Sequence, residues 1–172
     1  MTFQFPTEWP QYFTASIRNW LPLLGSDKYK NIVTESLNFI VKDKRIELNA
    51  FVVMDNHIHL IWQPLAGQTL SSIQLSFMKF TAQKIKFALA LDNPALLAQC
   101  KVDKIDREYQ IWKRKPLSIE LSYEKIFLQK LEYIHNNPVT AGICTYPEDY
   151  HFSSALFYEN GIDHFEMLSH YR

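Results

Sequence analysis

The first apolar pattern in the chain alternates: Phe13, Ala15 and Ile17 are separated by Thr14 and Ser16, which predicts a half-buried strand. The period then changes. Between residues 27 and 41, Ile32, Val33, Leu37, Ile40 and Val41 recur at helical spacing and predict an amphipathic helix. Alternation returns at Ile46, Leu48, Ala50 and Val52, against Glu47, Asn49 and Phe51. It leads through Val53-Met54 to the turn-forming pair Asp55-Asn56 and resumes in His57-Ile58-His59-Leu60-Ile61-Trp62, so an antiparallel hairpin is expected.

Thr69 is a candidate cap for a long helix reaching about Leu91, with Ile73, Phe77, Phe80 and Ile85 facing inward and Asp92-Asn93-Pro94 ending it. Residues 93–117 are polar and irregular, with Ile111, Trp112 and Leu117 leading toward a short fourth strand near residues 119–121. Ser122, followed by Glu124 in the first turn, reads as the N-cap of a last long helix through Phe127, Leu131 and Ile134. That helix is expected to stop near Pro138, and Gly142 to close a short turn beyond it. The order strand, helix, hairpin, helix, strand, helix predicts an α+β fold of ferredoxin-like type, an antiparallel sheet with helices packed on it. With only 4 Gly, no low-complexity tract and no internal repeat, residues 1–172 are expected to form one domain.

The 47% hydrophobic content is enough for one sizeable core. Residues 1–10 lack a basic segment followed by an apolar run, and nowhere do 18 uncharged apolar residues follow one another, so the expected location is the cytoplasm, with no membrane contact. Cys100 and Cys144 lie far apart and form no C-x-x-C pattern, which argues against a disulfide framework. The 18 Lys+Arg balance 18 Asp+Glu, so any nucleic-acid site must be a local basic patch. Lys79, Gln83 and Lys86, a polar stripe on the long helix with Lys84 nearby, and Lys113, Arg114 and Lys115 are the candidates; each run is equally a solvated face. Trp62 and Trp112 suit either the core or the stacking of unpaired bases.

His57 and His59, two apart on a strand, project from one face with ~6.6 Å of rise between them. Two polar rings on an otherwise apolar hairpin need compensation, which a metal ion, a phosphate or a carboxylate would supply. Tyr133 and Asn137, one helical turn apart, share a face and can meet one site; alone, they read as a core tyrosine and a helix-ending residue. His135 points away from Tyr133, His151 sits in a loop, and Tyr150 suits an anchor for the C-terminal segment. No Gly-rich phosphate loop, nucleophile elbow or H-E-x-x-H helix competes with these groups.

Three blocks taken together, AFVVMDNHIHLIW at 50–62, YIHNNPVTAG at 133–142 and PEDYHFSS at 147–154, resemble the single-tyrosine HUH transposases of the smallest insertion sequences, especially the REP-associated tyrosine transposases. The likeness extends from about Thr14 to Ser154, in the family's order. It implies His57 and His59 as a metal-binding pair, Asn137 as third ligand, Tyr133 as nucleophile, and Mg²⁺ or Mn²⁺ as cofactor. It implies a nicking and joining enzyme acting on hairpin-forming single-stranded DNA, as a monomer or as a homodimer exchanging tyrosines. Asp55 stands where the family often has Pro, and Lys115-Pro116-Leu117-Ser118 replaces part of its usual basic and aromatic block. Two other readings stay open: a domesticated, non-cleaving binder of hairpin or repeat DNA, and a structural zinc site joining His57 and His59 to Cys100 or Cys144.

Overall fold

The computed structural model of the chain describes residues 9–171, so most of the leader-free segment expected at residues 1–10 falls outside the described residues. The strands are β1 (Gln11–Ser16), β2 (Ile46–Val53), β3 (His57–Pro64) and β4 (Leu117–Glu120). The helices are α1 (Asp27–Lys42), α2 (Leu70–Asp92), α3 (Pro94–Ala98), α4 (Glu124–Thr140) and α5 (Ala155–Asn160). The sheet runs in the order β2-β3-β1-β4 with every neighbouring pair antiparallel, which is the α+β sandwich of two interleaved β-α-β units expected of a ferredoxin-like fold.

Alternation in β3 gives the sheet two different faces. Ile58, Leu60 and Trp62 meet Phe13, Val33, Leu37, Phe77 and Ile85 in the core beneath α1 and α2. Ile61, with Tyr12, Ala50 and Val52, meets Phe127 and Ile134 of α4 in a second core on the opposite face. His57 and His59 share the α4 face.

The strict alternation expected along residues 46–53 is interrupted. A β-bulge between Leu48 and Ala50 adds one residue to β2. Ile46 and Leu48 therefore pack in the α1/α2 core together with Phe51 and Val53, while Ala50 and Val52 turn to α4. The extra residue, Asn49, donates from Nδ2 to the Ser169 carbonyl (3.0 Å), fastening the C-terminal segment to the sheet edge.

Other expectations need correction. Phe80 is 50% exposed, because the buried stripe of α2 runs at a spacing of four through Ile73, Phe77, Thr81, Ile85 and Leu89. Thr81 survives there by donating to the Phe77 carbonyl (2.8 Å) and accepting from Trp112 Nε1–H (3.0 Å). Trp112 and Trp62 are thus core residues, not exposed stacking surfaces. Ser122 does not cap α4, whose N-cap is Tyr123 with no side-chain hydrogen bond. That helix does end close to Pro138, at Thr140, with the proline inside its last turn. Its end is made by Gly142 at φ 75°, where Gly142 N–H donates to Val139 O (2.9 Å) and Ile143 N–H to Pro138 O (2.9 Å), the paired bonds of a Schellman cap. The short helix α3 was not foreseen in the irregular stretch; Pro94 opens it and the Asn93 side chain caps it.

Candidate active site

The hairpin turn that presents the histidines is fastened from below. Lys30 of α1, almost fully buried, donates its ammonium to the carbonyls of Leu24 (2.7 Å) and Gly25 (3.3 Å) and to Asp55 Oδ1 (2.7 Å). Asp55 therefore makes the turn and pairs with Lys30, and its charge also acts on the nearby His57. The following loop is tied to the same turn by Ile17 N–H to Asn56 O and Leu24 N–H to Asp55 O, both 2.8 Å.

His57 and His59 stand edge to face with ring centroids 4.9 Å apart. Both Nε2 atoms converge on the Asn137 carboxamide: Oδ1 lies 3.2 Å from His57 and Nδ2 lies 3.3 Å from His59. The Tyr133 ring, one turn earlier on α4, packs edge-on against His59 at 5.3 Å and is 53% exposed. Its hydroxyl has no hydrogen-bond partner among the described residues. Four side chains from β3 and α4 thus line one cavity of about 490 Å³, together with Thr14, Ser16, Trp20, Asn136, Thr140 and Ala141.

The other ring nitrogens are held as well. His57 Nδ1 lies 2.7 Å from Asn56 Oδ1, and Asn56 Nδ2 donates to the Trp20 carbonyl (3.4 Å), which orients that amide with its oxygen toward the imidazole. His59 Nδ1 lies 2.7 Å from Thr14 Oγ1 and 3.0 Å from the Tyr12 hydroxyl. Burial depresses the pKa of His57, and burial, then the neighbouring His57 and Lys130, push that of His59 down to about 3. Both rings are neutral at physiological pH, and a proton on Nδ1 leaves a lone pair on Nε2.

This donor set fits a cation. The His57 Nε2 lone pair faces the Asn137 amide oxygen, an acceptor against an acceptor, which is repulsive unless a positive ion is shared between them. With His59 Nδ1–H donating to Thr14, turning the amide over transfers the conflict to His59. Neutral ligands anchored through their outer nitrogens are the usual construction of a metal site. The alternative zinc arrangement is not built: no group of three His, Cys, Asp or Glu side chains placed to hold an ion occurs among the described residues, and Cys100 is buried in the other core.

The expected DNA-contacting residues divide. The backbone of Lys113 adjoins the site, its N–H donating to the carbonyl of Ser16 (2.7 Å), a residue that lines the cavity, while the exposed side chains of Lys113 and Arg114 are not part of that lining. Lys79, Gln83 and Lys86 are not brought there. Lys79 and Gln83 are exposed opposite the buried stripe of α2, Lys86 is half-buried at its flank, and the sheet lies between all three and the histidines. His135 turns away from Tyr133 to meet Ser154 Oγ (2.8 Å), and Tyr150 donates to the Val53 carbonyl (2.6 Å), the anchor expected of it.

Several site residues escaped the sequence reading. Lys130, three positions before Tyr133 and so on its helical face, lies 4.6 Å from the Tyr12 ring centroid and 6.0 Å from that of Tyr133. That spacing was a usable signal. Thr14 had none, because only the register that pairs it with His59 brings them together. Trp20 ends a three-residue 3-10 turn, Arg18–Trp20, which is too short for periodicity to reveal.

No protein-family model matches the sequence, and no curated protein matches it. Among solved structures, a REP-associated tyrosine transposase bound to a REP hairpin superposes with a TM-score of 0.64 at 21% identity, covering 94% of this chain and 86% of that one. A candidate transposase from Deinococcus radiodurans R1 gives 0.48 at 16% identity over 73% of this chain and 88% of its own. This chain has the fold of the REP-associated tyrosine transposase.

Proposed function

We propose that this chain belongs with the REP-associated tyrosine transposases and is a metal-dependent enzyme that nicks and rejoins single-stranded DNA through a covalent bond to Tyr133. One observation carries the reading: a half-exposed phenol, whose hydroxyl has no hydrogen-bond partner among the described residues, stands beside two imidazoles whose Nε2 atoms meet one carboxamide. The shared fold, and the hairpin DNA bound by that relative, support a DNA substrate.

His57, His59 and Asn137 would hold Mg²⁺ or Mn²⁺, which supplies positive charge to a non-bridging phosphate oxygen. Imidazole ligands favour Mn²⁺ of the two. The Tyr133 oxygen attacks phosphorus in line, forming the Tyr–O–P bond as its proton leaves to solvent. The P–O3′ bond breaks and the departing oxygen takes up a proton, leaving a 3′-hydroxyl and a 5′-phosphotyrosine. Attack by a 3′-hydroxyl reverses the step or joins a different end, and the retained bond energy removes any need for ATP. Lys130, beside both rings, adds positive charge next to the phosphate, and Lys113 and Arg114 would hold the strand where it leaves the cavity past Ser16. That Tyr133 lines the same cavity as His57, His59 and Asn137 within one chain supports a tyrosine acting at its own chain's histidines.

The test is incubation of the purified protein with labelled single-stranded hairpins and Mn²⁺ or Mg²⁺, followed by denaturing electrophoresis. The expected product is a protein–DNA adduct that requires metal and is lost in Tyr133→Phe. No adduct with the wild-type protein, or equal adduct with Tyr133→Phe, overturns the proposal; hairpin binding without cutting selects the non-cleaving binder.

A further inference from the structure

Trp20 is unlike the other tryptophans whose role is clear. Trp62 and Trp112 are buried in the core, whereas Trp20 is 57% exposed and lines the cavity that holds His57, His59, Tyr133 and Asn137. Its backbone lies at φ 55°, directly after Asn19 at φ 59°. Asparagine visits the left-handed region readily, but a bulky aromatic side chain there is an outlier that the surroundings must enforce.

The enforcement is visible. Trp20 N–H donates to Ile17 O (3.0 Å), and Ile17 N–H in turn donates to Asn56 O (2.8 Å). The Trp20 carbonyl accepts from Asn56 Nδ2, whose own Oδ1 meets His57 Nδ1. Leu24, beyond the loop, is bonded to Asp55. The backbone of Trp20 is therefore fixed to the same turn that orients the first imidazole, and its indole meets that ring edge to face at 6.3 Å. More than half of the indole is exposed, and it faces the cavity beside His57.

We propose that Trp20 is a stacking platform for an unpaired base next to the phosphate held at the His57–His59 centre. Every base has a flat π-face, so a rigid indole grips single-stranded DNA without reading its sequence and excludes a duplex, whose bases are already stacked. Its attachment through Asn56 couples the position of the base to that of the imidazole, and hence of the phosphate to the Tyr133 oxygen. This inference rests on the single-stranded DNA reading of the site.

The test is a binding cycle without added metal, using fluorescein-labelled oligothymidylate and an abasic deoxyribose-phosphate chain of equal length. Trp20→Ala is expected to weaken oligothymidylate binding roughly tenfold and leave the abasic chain unchanged, while Trp20→Tyr restores most of the affinity. A structural role for Trp20 would instead weaken both ligands alike. Equal loss for both, no loss for either, or no binding by the wild-type protein overturns the proposal. The expected binding pattern with no covalent adduct in the presence of Mn²⁺ leaves the platform standing and removes the cleavage reading.

Discussion

Asn137 reaches the imidazoles of His57 and His59 at once, with Oδ1 3.2 Å from His57 Nε2 and Nδ2 3.3 Å from His59 Nε2. Because α4 delivers Asn137 and Tyr133 one turn apart, the proposed ligand and the proposed nucleophile ride on one helix. Replacing Asn137 by Ala should lower Mn²⁺ affinity at least tenfold, read by titration calorimetry, with little change in thermal midpoint. Asn137→Asp should bind Mn²⁺ more tightly than wild type yet cut more slowly, since a carboxylate cancels charge meant for the phosphate. Tighter binding with faster cutting would show that charge neutralisation is not limiting.

The contact of His59 Nδ1 with Thr14 Oγ1 at 2.7 Å holds the lone pair of Nε2 toward the cavity. Thr14→Val keeps the shape of the side chain and deletes the acceptor. Mn²⁺ affinity is expected to fall between about 10-fold and 100-fold, with the Tyr12 hydroxyl as a partial substitute. Unchanged affinity in Thr14→Val, and also in Thr14→Val/Tyr12→Phe, would remove this outer contact from the site.

Lys30 is a buried cation serving two carbonyls and Asp55. Lys30→Met fills the space but strands those carbonyls, and urea unfolding should register a loss of about 2–3 kcal/mol. Asp55→Asn should cost much less, because that carboxylate is half exposed and leaves the carbonyl bonds intact. If both variants cost the same, the ion pair rather than the carbonyl bonds holds the turn.

Acid should destabilise the metal-free protein before its carboxylates titrate. Burial depresses the pKa of His135 to about 4 and that of His59 to about 3, against an ordinary histidine near 6.5. The unfolded chain then binds protons that the folded chain refuses, so stability is full above pH 6.5 and declines as pH falls toward 4. His135 alone accounts for up to about 3 kcal/mol of that decline, each pH unit of displacement being worth about 1.4 kcal/mol. Urea midpoints measured from pH 7 to pH 4 in EDTA should show a steep slope for wild type and a shallower one for His135→Gln, which can still reach Ser154. Parallel slopes would mean that His135 is hydrated and titrates normally.

Local chemistry made most of the elements readable in advance. The hairpin announced itself by alternation around Asp55-Asn56, and α2 by its Thr69 cap, because these signals need only neighbouring residues. The errors fell where distant contacts override local preference. The bulge at Asn49 reversed the faces of β2 because the C-terminal segment bonds there, 120 residues away.

The sequence by itself determined which chemistry is available: two imidazoles on one strand face, and a phenol and an amide on one helix face, since strand and helix periods dictate both pairings. Only the tertiary structure decided that α4 lies on the histidine face of the sheet and α2 on the other, which brought Asn137 to the imidazoles and left Lys79, Gln83 and Lys86 behind the sheet. It also decided that Trp20, Thr14 and Lys130 belong to the site. The physical reason is that periodicity fixes where a side chain points relative to its own element, whereas the layer an element joins is settled by the summed burial of all its partners.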